Sequence, residues 1–103
     1  MDIIKPCTEL PNIRARALLR TRVLNEHQLN HFMVMACAHL TRSYIMLRQE
    51  QCVIGPGETD INTLLHKVNI QVLAARVNLD AAFTTLVVRE LAADVIAQLR
   101  TTL

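Results

Sequence analysis

The chain has 103 residues, of which 51% are apolar and 19% charged, and its formal net charge is +2. That apolar share excludes a disordered polypeptide, and so small a charge does not by itself imply a nucleic-acid partner. Two glycines and 3% aromatic residues are too few for the turns and core of a sandwich or barrel, so the expectation is one all-helical domain.

Residues 1–11 hold Pro6 and Pro11 and read as an extended N-terminal arm without the apolar run of a signal peptide. A first helix is expected over about 12–24, where Pro11 sits at the start and costs no hydrogen bond. This segment carries Arg14, Arg16, Arg20 and Arg22 with no acid among them, a patch suited to phosphates or to an acidic partner protein.

Asn25 with Gln28 has capping-box spacing, and no Gly or Pro follows until Gly55. A helix over 26–50 is therefore expected, about 37 Å long at 1.5 Å per residue. Leu29, Met33, Ala36, Leu40, Ser43 and Leu47 step four and three along one seam. Val34, Ala38 and Ile45 point away from that seam, so the helix is apolar on two sides.

Gly55-Pro56-Gly57 is the strongest break in the chain. Thr59 or Asp60 then caps a helix over about 60–78, with Ile61, Leu65, Val68, Val72 and Ala75 as its stripe. Asn78-Leu79-Asp80 favours a stop and a new cap over one uninterrupted helix. The last helix, about 81–101, has Val88, Leu91, Ala92, Val95 and Leu99 in its main stripe and Phe83, Leu86, Ala93 and Ala97 on its back. The fold expectation is thus a small bundle of three to four helices around one long central helix, completed by dimerisation. Val34, Ala38, Ile45, Leu86, Ala93 and Ala97 are the candidate contacts between copies.

Catalytic and metal constellations are thin. His27 and His31 are four apart on one helical face, the spacing of zinc-binding helices, but the glutamate of HExxH is missing and structural zinc needs four ligands. They are the candidate metal ligands, and no bound metal or other cofactor is expected. Cys7, Cys37 and Cys52 form no CxxC and no disulfide framework, which points to a reducing cytoplasm. Cys37 falls two residues before His39, on a different side of the helix, and reads as a small buried hydrophobe rather than a nucleophile. Glu90 and Asp94, four apart, fit a solvated face at least as well as an acid–base pair. No residues are assigned to catalysis, and the chain is not expected to be an enzyme.

Leu73–Val88 resembles the core of a helix-turn-helix, with Asn78 at the turn position where Gly is usual. Its second helix would offer Ala81, Ala82, Thr84 and Thr85 to the bases, a surface poor in hydrogen-bond donors. The leading expectation is therefore a protein–protein interaction module: an adaptor, a chaperone-like protein or a regulatory subunit that also forms a homodimer. The alternative is a small DNA-binding regulator using Arg14–Arg22 or residues 73–88. A membrane role is not expected, since no run of about 18 apolar residues occurs.

Overall fold

A computed structural model describes residues 12–22, 25–55 and 57–102. The expected arm over 1–11 lies outside the described residues. These contain five helices and no strand: α1 (Ile13–Arg20), α2 (Glu26–Gln49), α3 (Glu58–Lys67), α4 (Ile70–Arg76) and α5 (Ala81–Thr102). The all-helical expectation stands, and the count of three to four helices is corrected to five.

Each boundary has a local cause. α1 is shorter than expected because Thr21 and Arg22 donate backbone N–H bonds to Leu18 and Leu19 at 3.1 Å, tightening and closing the last turn. α2 opens on the anticipated capping box: Gln28 N–H donates to Asn25 Oδ1 at 2.7 Å, and Asn25 N–H to Gln28 Oε1 at 3.1 Å. It closes through Gln51 at φ 64, with Cys52 N–H donating to Leu47 O at 2.9 Å and Gln51 N–H to Arg48 O at 3.0 Å. That is a Schellman motif built without its usual glycine.

The expected helix over 60–78 is two helices. α3 starts at Glu58, earlier than the proposed Thr59 or Asp60 cap, and Asp60 turns back so that its Oδ2 accepts from Gly55 N–H at 2.8 Å. Val68 is extended (ψ 136), and Asn69 caps α4 by accepting from Val72 N–H at 3.2 Å. The break rotates the register, so Leu73 and Ala74 enter the core while Val72 and Ala75 of the expected stripe face solvent. A second Schellman turn follows: Asn78 at φ 55, with Leu79 N–H donating to Ala74 O at 2.9 Å. Asp80 caps α5 through Phe83 N–H at 2.7 Å, and α5 leaves α4 at 105°.

α5 packs against each of the other four helices, as the long α2 also does. Its expected stripe of Val88, Leu91, Ala92, Val95 and Leu99 is buried, joined by Val87 and Ile96. The α2 seam is buried in full, widened by Phe32, Cys37 and Tyr44. The extents are 39 × 24 × 20 Å and the radius of gyration is 12.8 Å. The latter is the size of a compact single chain of about 100 residues. Much of the apolar surplus that suggested an intersubunit core is therefore absorbed within one chain.

Two readings of single residues are corrected here. Phe83, placed on the back of the last helix, is 6% exposed and belongs to the core, with the Arg22 guanidinium, just beyond α1, over its ring. Cys37 is buried and disulfide-bonded, while Cys52 is a free thiol. An odd count at irregular spacing does not forbid a single bond, and disulfides persist mainly in oxidising compartments, so cysteine usage no longer argues for a reducing one. In denaturant without reductant, Cys52 is expected to be alkylated and Cys37 only after reduction. Peptide mapping checks this, and ready labelling of Cys37 before reduction would show the bond to be absent.

Candidate interaction surface

The Arg14–Arg22 segment does not form one cationic face. At 100° per residue Arg14 points away from Arg16 and Arg20 on α1, Arg22 lies in the turn beyond it, and three of the four contact the rest of the chain. Arg16 Nη1 donates to Asn30 Oδ1 at 3.4 Å, and Arg20 donates to Glu26 Oε1 through Nε at 3.3 Å and Nη2 at 3.2 Å. The Arg22 guanidinium lies 4.2 Å from the Phe83 ring centroid, a cation–π contact. Arg14 lines an open pocket of about 350 Å³ with Ala17, Leu18, Thr21 and Glu90. The segment thus clamps α1 onto α2 and α5, and Arg14 is the arginine directed into open surface. Phe83's part in this clamp had no signal beyond its aromatic character.

The six expected contact residues are all accessible, on two separate faces. On α2, Val34 is 47% exposed, Ala38 and Ile45 are half-buried, and the three lie within about 40° of one another. Exposed His27 and His31 continue this side toward the helix start. Among the described residues no group of three or more His, Cys, Asp or Glu is placed to hold a metal ion. On α5, Leu86 is 55% exposed, Ala97 is exposed and Ala93 half-buried. Glu90 and Arg100 share their face, and all five fall within about 80°. The three-and-four spacing of residues 86, 90, 93, 97 and 100 is visible in the sequence. What the sequence hides is how wide the buried side of α5 is, since Phe83, Thr84, Val87 and Ile96 are buried with the expected stripe.

A smaller cleft of about 240 Å³ lies between α3, α4 and α5, lined by Asn62, Leu65, His66, Ile70, Thr85 and Arg89. Arg89 Nη1 stands 3.8 Å from Glu58 Oε1, an ion pair too long to be a hydrogen bond. Among the described residues no single helix is long and apolar enough to cross a membrane.

Two titrating groups are displaced. Burial lowers the pKa of His39 below its ordinary 6.5, and Arg42 and Arg76 lower it further. Burial raises Asp94 above its ordinary 3.8, and Glu90 adds to the shift. The signs are opposite in effect. Below pH 6.5 the unfolded chain takes up a proton that folded His39 resists, so stability falls as pH drops through 6.5 and levels off below the folded value. Ionised Asp94 disfavours folding at neutral pH, and that penalty disappears as pH falls through its raised value toward 3.8. Asp94→Asn is expected to raise the melting temperature at pH 7 and to match the wild type near pH 3.8. His39→Gln is expected to flatten the loss below pH 6.5. Melting temperatures across this range test both. A destabilised Asp94→Asn at neutral pH would mean that the carboxylate has a favourable partner.

No family model matches the chain, and no curated protein or solved structure matches it.

Proposed function

We propose that this chain is a non-enzymatic helical interaction module, an adaptor, chaperone-like or regulatory subunit that covers the surface of a partner protein and also self-associates. The observation that carries this reading is the outer stripe of α2. Val34, Ala38 and Ile45 stay accessible in one line although the core beneath them is closed. An apolar strip on a helix supported from behind suits an amphipathic element of another protein. The reading calls on no cofactor and no membrane.

The test is a photo-crosslinker placed at Ala38, with the captured protein identified by mass spectrometry and its affinity then measured directly. Val34→Glu combined with Ile45→Glu is expected to keep the fold and weaken that binding at least tenfold, since a charge would then face an apolar contact. Unchanged affinity would sink the assignment to α2. The oxidation state of Cys37 in freshly quenched cells decides the compartment: reduced supports a cytoplasmic setting, and oxidised points to an oxidising one.

One observation favours a DNA-binding regulator instead. The α4–α5 pair turns by 105° through left-handed Asn78, within the range of helix-turn-helix units. Against it, Phe83, Thr84, Val87 and Val88 near the start of α5 are buried, and Ala82 and Leu86 are its exposed residues there. A recognition helix needs donors and acceptors at those positions. A salt-dependent shift of labelled duplex, lost when Arg14, Arg16, Arg20 and Arg22 are replaced in a chain still folded by circular dichroism, would favour this second reading.

A further inference from the structure

We infer that the outward face of α5 is a self-association surface, on which a second copy of this chain packs antiparallel so that Glu90 of each copy meets Arg100 of the other. This assigns a surface and a register to the self-association in the proposed function, and it rests on that part of the reading.

One side of α5 is left uncovered by the other helices. Its inner side is used up by Val87, Val88, Leu91, Ala92, Val95, Ile96 and Leu99, all buried. Its outer side carries, in order, Leu86, Glu90, Ala93, Ala97 and Arg100. These positions step four, three, four and three, the spacing of a helix–helix seam. The two charges are ten residues apart, about 15 Å along the axis. Neither Glu90 nor Arg100 is in an ion pair among the described residues.

A face with an acid toward one end and a base toward the other is complementary to itself under a twofold axis. Running the second α5 antiparallel sets Glu90 against Arg100 twice, and the same offset places Ala93 opposite Ala97 twice. Alanines at the crossing allow the axes to approach toward the short end of the usual 8–10 Å. A parallel arrangement in register would set Glu90 beside Glu90 and Arg100 beside Arg100, so like charges select against it. The accessible apolar area of the facing alanines supplies the contact at the crossing, and the charges set direction and register.

Sedimentation equilibrium of the full chain at micromolar concentration is the experiment. The wild type is expected to show about twice the 11.6 kDa chain mass. Glu90→Arg alone places Arg against Arg, and Arg100→Glu alone places Glu against Glu, so each is expected to weaken the dimer at least tenfold. An equimolar mixture of the two variants pairs every charge with its opposite and is expected to recover the dimer as a heterodimer. Unfolded variants would not recover on mixing, and circular dichroism of each alone confirms its fold. A monomeric wild type would overturn this surface together with the self-association of the proposed function. A dimer indifferent to both reversals, or reversals that mixing does not rescue, would overturn this surface while leaving self-association intact. Binding of a different protein through α2 is decided separately by the Val34 and Ile45 variants.

Discussion

Leu91→Ala is expected to cost about 2–5 kcal/mol of folding stability, the range for truncating a fully buried leucine. Leu91 is 0% exposed and sits near the middle of α5, a helix packed against all four others. Removing three carbons there opens a cavity whose walls belong to different helices, and such a site collapses poorly. A domain of this size has about 5–15 kcal/mol of net stability, so the variant would lose a large part of it. The urea midpoint should fall while the slope of the transition is kept. Val53→Ala is the matched control, because Val53 is 87% exposed and its loss should change stability by less than about 0.5 kcal/mol. A cost below about 1 kcal/mol for Leu91→Ala would contradict the central place of α5.

Phe83→Ala is expected to cost about 3–5 kcal/mol, the range for truncating a core aromatic residue. Two contributions meet at this side chain. The residue is 6% exposed within the core cluster, so most of its apolar area is removed from solvent on folding. Its face carries the Arg22 guanidinium at 4.2 Å, and an exposed contact of that kind contributes about 0.5–1 kcal/mol. A double-mutant cycle with Arg22→Ala and Phe83→Leu separates the two, because leucine keeps much of the apolar volume and removes the aromatic face. A coupling near zero would reduce Arg22 to a solvated cation. A small effect of Phe83→Ala would mean that the start of α5 adds little to the core.

Phe83 also shows where sequence reasoning stops. By helical spacing it lies off the main stripe of α5, since a wheel knows one core direction. The buried arc of α5 is wide because four helices pack on it, and Phe83 falls within that wider arc, with Arg22 over its ring. The α2 seam was legible for the opposite reason. Leu29 through Leu47 lie along one uninterrupted helix, so a single phase describes them, and the Asn25–Gln28 box marked its start. The stripe after Gly57 failed past Val68 because Asn69 restarts the helix in a new phase, and neither Gly nor Pro announces the break. The arginines of α1 looked like a patch because they are close in sequence. Their partners Asn30, Glu26 and Phe83 lie on two other helices, and no local pattern states that.

Local spacing and capping chemistry suffice for the helical class, the start of the long helix, the cap at Asp80 and the residues of the two main apolar seams. Those features depend on neighbours within about four positions, where spacing and capping chemistry act directly. Packing sets how wide the buried arc of each helix is, how α3 divides from α4, and that α5 as well as the long α2 touches all four other helices. Burial is a property of all the packed helices together. A side chain's own helix fixes only its direction, and the helix packed against it decides whether that direction is core or surface.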